Sequence, residues 1–290
     1  MDQKDWELLE VLAEEKSITQ AAKRLFFSQP ALSGKIKQLE KEFGCKIIIR
    51  GTRGISFTVQ GELLIRYAAR AQAELRELRE QINNTNKEIC GTLHIGCSYL
   101  ISKYILPPLL KKFLQLYPQV NIQLKTAMSQ EVFNMINNRQ IQVGLLRGDY
   151  SWTGEKCLLQ EDPICLVSST PLSLKNLPQL PQIHRPLDKP LQAAINSWWQ
   201  ARYKEPPYIH MEVDTQDSCI QLVTEGLGYT ILSELVSRDY PDLWHHQLEF
   251  PDGSLLTRKT HAYIQKESQE NRLIRAFFDF LCSCPPDKSQ

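Results

Sequence analysis

The sequence predicts an α/β protein in two parts: a winged helix-turn-helix continued by a long linker helix, then a larger region of two α/β lobes. Three observations carry this. Residues 5–44 hold three amphipathic helical patterns with their own caps, residues 64–82 hold an apolar heptad seam, and from residue 92 strand patterns alternate with helix patterns to the end of the chain. With 290 residues and 42% hydrophobic side chains, the chain is long enough to bury the cores of about two domains.

Trp6, Leu8, Leu9, Val11 and Leu12 recur at helical spacing and predict a first helix over about 5–14. Ser17 caps a second, whose face of Ile18, Ala21, Ala22 and Leu25 is small enough in the middle for a neighbouring helix to approach closely. Ser28 caps a third. Pro30 falls in its first turn, where a missing N–H is tolerated, Gly44 ends it, and Ala31, Leu32, Ile36, Leu39 and Phe43 are expected to bury one side. The short link between the second and third helices makes a helix-turn-helix. Two β-prone runs, 46–49 and 55–57, flank a turn at 50–54 and predict a wing.

Beyond Thr58, a helix free of Pro and Gly after Gly61 carries Leu64, Ala68, Ala71, Leu75, Leu78 and Ile82 at alternating steps of four and three. Such a seam suits an antiparallel partner helix from a second copy of the chain; the alternative is an amphipathic helix lying on its own domain. The polar stretch "NNTNKEICG" reads as a hinge. From there, alternation implies βαβ units, a mainly parallel sheet and a cleft between two lobes. The expected boundaries are 1–58 for the winged domain, 59–90 for linker helix and hinge, and 91–290 for the two-lobed domain, with lobe 1 at about 91–161 and 265–290 and lobe 2 at about 162–264.

Net charge is only +1, so overall electrostatics imply neither nucleic acid nor membrane as a partner. The local balance differs: Lys23, Arg24, Lys35, Lys37, Lys41, Lys46, Arg50 and Arg53 face only Glu40 and Glu42 within 23–53. The acidic start of the chain does not resemble a signal peptide, and no apolar run is long enough to span a membrane, so the expected location is cytoplasmic. The eight cysteines show no C-x-x-C pair and no zinc spacing; in a reducing compartment they are expected to be free thiols. The histidines offer no ligand spacing, "GLG" at 226–228 is a turn, and no nucleophile signature occurs, so neither a metal, a cofactor nor a catalytic residue is expected.

The stretch "AAKRLFFSQPALSGKIKQLEKEFGCKIIIRGTRG", followed by Thr58 and Gly61, resembles the DNA-binding signature of LysR-type transcriptional regulators, and "YILPPLLKKFLQLYPQV" and "LVTEGLGYTIL" resemble that family's effector-domain segments. The resemblance runs from about residue 5 to 282. "RLFFSQPALS" and the Trp198–Trp199 pair are further similar to citrate-responsive catabolite control regulators of Gram-positive bacteria. It implies a homodimer or homotetramer on double-stranded operator DNA, with RNA polymerase as a further candidate partner, and a periplasmic-binding-protein-like domain for a small-molecule effector. Two positions depart from the family pattern: Gly34 stands where the family often has Arg, and Gln142 where many members carry Asp.

On that reading Ser28, Gln29, Pro30 and Ser33 at the start of the third helix face base edges, since the Gln29 amide offers a donor and an acceptor that match adenine. Lys35, Lys37, Arg50 and Arg53 supply phosphate or minor-groove contacts. The alternative is an ordinary solvated face. Effector residues are expected in loops at strand ends: Ser98, Tyr99, Ser129 and Arg147 in one lobe, Thr215 and Ser218 in the other. Hydroxyls around an arginine suit a carboxylate, with citrate as the case the resemblance suggests. A rival reading is a thiol-based redox switch on the same scaffold using Cys157, Cys165 and Cys219. An enzyme in the cleft is set aside, because it would not need the attached DNA-binding module.

Overall fold

A computed structural model describes residues 1–51, 54–83 and 88–283. It divides into two compact units, Met1–Gly91 with Met135–Ile141, and Thr92–Asn134 with Gln142–Gln290.

In the first unit, helices α1 (Gln3–Glu15), α2 (Ile18–Arg24) and α3 (Gln29–Phe43) precede the antiparallel wing strands β1 (Ile48–Gly51) and β2 (Gly54–Phe57), and α4 (Val59–Asn83) follows. Each start is fixed by a side chain: Asp2 in a reciprocal capping box with Asp5, Ser17 accepting from the Gln20 N–H, and Ser28 accepting from the Ala31 N–H. Gly44, left-handed at φ 64°, closes α3. Leu9, Leu12, Ala21, Leu32, Ile36 and Leu39 form the core between the helices. Ala31 and Phe43, expected on the buried side, lie at the two ends of α3 and are exposed.

Thr58 ties wing to linker: its Oγ1 accepts from the Gly61 N–H at 2.9 Å and donates to the Lys46 carbonyl at 2.5 Å. A Cβ on Gly61 would sit 2.1 Å from the Ile47 carbonyl oxygen, so only glycine fits there. Part of the seam on α4 is taken up within the unit, since Ala68 is fully buried in its core and Leu64 packs against it. Leu78 stays exposed. The Ile82 side chain, Asn84–Lys87 of the expected hinge, and Arg53 lie outside the described residues.

The second unit comprises β3 (Gly91–Ser98), α5 (Leu106–Leu116), β4 (Val120–Ala127), α6 (Ser129–Asn137), β5 (Val143–Arg147), β6 (Glu155–Ser168), β7 (Gln182–His184), α7 (Lys189–Arg202), β8 (Ile209–Glu212), α8 (Gln216–Thr224), β9 (Thr230–Ser233), α9 (Glu234–Ser237), β10 (Trp244–Gln247), β11 (Thr257–Ile264) and α10 (Arg272–Ser283). The expected mainly parallel sheet is corrected to a mixed one. Strands run in the order β10-β6-β11-β5-β3-β4 with β9 also on β6; β3 and β5 are parallel, but β11 is antiparallel to both β5 and β6. The cause is β6, whose 14 residues serve both lobes: its first half pairs with β11, its second half with β9 and β10. The strand runs from Glu155, and polar residues and Pro163 obscure its alternation in the sequence.

β11 likewise bridges the two parts of the sheet, with Thr260–Ile264 paired to β5 and the whole strand paired to β6. Gln142 accounts for its own departure from the family pattern: its Oε1 accepts from the His94 N–H at 2.9 Å while its N–H bonds the His94 carbonyl at 2.8 Å, stitching β5 to β3. The free-thiol expectation is also corrected. Cys157 on β6 and Cys282 on α10 form a disulfide across 125 residues of sequence, a meeting only the packing of α10 on β6 creates. Cys284 lies outside the described residues, and among them no helix is long and apolar enough to cross a membrane.

Candidate functional site

The first candidate surface is the start of α3. Gln29, Pro30 and Lys37 are exposed, and Lys37 makes no ion pair among the described residues. Ser33 and Lys35 are half-buried and held by neighbours. Lys35 Nζ lies 3.7 Å from Asp5 of α1, and Arg50, beside the wing's turn, donates to Ser33 Oγ at 3.4 Å, so the wing is tied to α3. Ser28 is engaged as the cap. Beside the helix, Phe26 in the turn is left-handed at φ 57° and 98% exposed, an aromatic group that no amphipathic pattern marks because it sits between helices. Gly34 is open, with nothing within 4 Å of an added Cβ.

The second is a cleft of about 530 Å³ inside the second unit, within the size range of small-molecule sites. Ser98, Tyr99 and Ser129 line it at the ends of β3 and the start of α6, as does Arg147 at the end of β5. Ser98 Oγ is buried without a partner among the described residues. The helix that leaves β3 passes through a π-turn at Ile101–Ile105 before α5, an irregularity often found at ligand sites.

Arg147 is 1% exposed, and its Nη2 reaches both oxygens of Asp162, at 2.7 and 2.6 Å, and Ser233 Oγ at 3.0 Å. Burial lowers its guanidinium to about 10 against the raising effect of Asp162. Its charge is thus neutralised from within, while Nε and Nη1 have no acceptor among the described residues. Thr215 and Ser218 do not line the cleft: Thr215 Oγ1 caps α8 by accepting from the Ser218 N–H and donates to Ser218 Oγ. Asp214 just before α8 and Gln216 and Asp217 in its first turn line it instead.

Sequence reading missed Arg185, Asp188 and Arg258. Asp188 caps α7 with one oxygen and pairs with Arg258 through the other. Arg185 has a buried, unpartnered Nε and makes no ion pair among the described residues; burial pulls its guanidinium below the usual range. Its only sequence signal was a basic residue just after a three-residue strand too short to recognise. Among the redox candidates, burial pushes Cys165 up to about 12 and also raises Cys219, so neither is a ready thiolate; only Cys157 is paired.

Residues 3–62 match the model of the lysR-family bacterial regulatory helix-turn-helix protein, and residues 86–283 that of the LysR substrate binding domain. The chain is 37% identical over 281 residues to the uncharacterised HTH-type transcriptional regulator YraN of Bacillus subtilis (strain 168), covering 97% of each. Among solved structures it resembles full-length CbnR complexed with its target DNA (TM-score 0.67, 20% identity, 98% of this chain and 99% of that one). It also resembles a full-length OxyR variant from Pseudomonas aeruginosa (TM-score 0.69, 17% identity, 100% and 99%). These solved structures show the likeness of fold.

Proposed function

Since the chain belongs to the LysR family and is a DNA-binding transcriptional regulator rather than an enzyme, we propose that its cleft takes a small carboxylic acid that also bears a hydroxyl or amino group, and that this effector controls operator binding from the cytoplasm. The observation that carries the reading is Arg185, a cation in the cleft with no carboxylate partner among the described residues, in a lining that also holds the unpartnered Ser98 Oγ. A carboxylate there gains charged hydrogen bonds, and the free Nε and Nη1 of Arg147 offer further donors. Asp214 and Asp217 line the same cleft and suit a donor on the ligand. With Asp188 already paired to Arg258, these two carboxylates against Arg185 make a trianion such as citrate a poor fit, because like charges in one cleft repel.

In the DNA-binding unit, Gln29 reads a base, Lys37 and Arg50 meet phosphates, and Phe26 packs on the backbone beside them. Arg53, outside the described residues, is assigned with Arg50 from sequence. A homo-oligomer is part of the proposal, because Val59, Leu63, Tyr67 and Leu78 on α4 are each more than half exposed, at 71, 55, 57 and 52%. Calorimetry of the full chain against a panel of hydroxy and amino acids tests the effector: binding of at least one of them, lost about tenfold or more in Arg185→Ala, is expected. Equal affinity in parent and variant sinks the assignment. For assembly, Tyr67→Glu is expected to reduce the mass seen by light scattering.

A second reading, thiol control on this scaffold, is favoured by the Cys157–Cys282 disulfide, in which Cys282 is exposed. Two fewer titratable thiols after mild peroxide, with altered operator binding absent in Cys282→Ser, is the expected result; unchanged operator binding removes this reading.

A further inference from the structure

A second cavity, of about 510 Å³, lies in lobe 2 on the side of α7. Its walls include Ile195, Trp199, Tyr203 and Pro207. Strand β7 makes it unusual. Side chains alternate along a strand, so Gln182 and His184 share the face turned to α7 while Ile183 faces the cluster around Cys219. Ile231 on β9 turns to the α7 side with them and belongs to the apolar core there. Two polar residues therefore stand where an interior strand face would ordinarily be apolar. Gln182 is 7% exposed, and its Oε1 is buried with no hydrogen-bond partner among the described residues.

We propose that this cavity is a second ligand site, separate from the effector cleft, for an uncharged, flat heteroaromatic molecule with a ring N–H. Three features set the class. The lone acceptor Gln182 Oε1 calls for an N–H or O–H donor. The Trp199 ring, braced at 4.7 Å by Tyr203 and fixed by its N–H donating to the Glu205 carbonyl at 2.8 Å, gives a rigid surface for a planar ring. The charged residues of the lining, Lys204 and Glu205, are adjacent and of opposite sign, and the other polar side chains are amides, one histidine and the Tyr203 hydroxyl, which donates to the Leu174 carbonyl. A charged ligand would find no net partner there, in contrast to the cleft with its free arginine. A narrow chamber of about 20 Å³, lined by Gln182, His184 and Arg185, lies between the two sites, so His184 lines one site and its chain neighbour Arg185 the other.

The test compares indole with benzofuran, an isostere with oxygen in place of the N–H, by ligand-observed NMR titration of the full chain. Indole is expected to bind, and benzofuran about tenfold more weakly, because only indole satisfies Gln182. Gln182→Leu, which keeps the volume and removes the acceptor, should erase that preference. Asn196→Phe, at an exposed position on the lining, should block indole without disturbing the core. Arg185→Ala should leave indole binding unchanged. Absence of indole binding, equal binding of the two probes to the parent, indifference to Asn196→Phe, or loss in Arg185→Ala would each overturn the proposal.

Discussion

The two candidate surfaces handle polar groups in opposite ways. At the start of α3, Gln29 and Lys37 are exposed, lie within one helix and have no partner of their own to give up among the described residues. In the cleft, Arg147 is almost completely buried with its Nη2 already paired to Asp162, and the other lining residues come from segments between Ser98 and Arg258. A DNA surface gains by leaving its donors and cations in water until phosphate and base edges replace that water. A ligand cleft must hold its charges in a low dielectric before the ligand comes, so Arg147, Asp188 and Arg258 are paired from within, while Arg185, Asp214, Asp217 and the uncharged Ser98 Oγ are left for the ligand. The same kind of residue, an arginine at a strand end, is thus anchored by a buried carboxylate at 147 and left without one among the described residues at 185.

The largest effect is expected where that contrast is sharpest. Arg147→Ala leaves Asp162 buried without its cation and should cost about 3 to 5 kcal/mol of folding stability in denaturant titrations. A loss under about 1 kcal/mol would mean that Asp162 finds another partner and that the pair does not hold the lobes together. Gln29→Ala should leave stability unchanged and weaken binding to the cognate operator by about 1 to 3 kcal/mol, relaxing preference at one base position. Lys37→Ala should weaken cognate and scrambled duplexes alike and lower the salt slope by about 1. Equal behaviour of the two variants in titrations at several salt concentrations would erase the distinction between reading and anchoring.

Gly34→Ala should stabilise the first unit by about 0.5 to 1 kcal/mol, because the site is helical and nothing stands within 4 Å of the new methyl. Destabilisation in thermal melts would show that α3 needs its freedom there.

The smallest effect concerns His261, buried on β11, whose Nδ1 lies 3.2 Å from the Gly148 carbonyl. Burial lowers its pKa below the ordinary 6.5. The unfolded chain therefore takes up this proton first as pH falls through 6.5, and the folded state loses stability until His261 itself is protonated at lower pH. Above pH 7 the contribution is constant. His261→Gln should flatten the stability profile as pH falls below 6.5; an unchanged profile assigns the acid sensitivity to other groups.

The sequence by itself determined whatever rests on short range. The caps Ser17 and Ser28, the close of α3 at Gly44, and the apolar spacing of Leu32, Ile36 and Leu39 specify the helix-turn-helix, because a helix makes its hydrogen bonds within a few residues and buries a face of period 3.6. Gln29 and Lys37 were legible for the same reason: their exposure follows from the buried face of the helix that carries them. Tertiary structure alone decided the rest. Nothing near residue 147 announces that residue 162 will neutralise it, nothing near 157 points to 282, and the antiparallel course of β11 between β5 and β6 depends on strands far earlier in the chain. Arg185 follows a strand of three residues, too short for any periodicity, and its freedom is defined by the partners that other segments fail to bring. Burial, pairing and solvent access belong to assembled neighbours, and those are chosen only when distant segments pack.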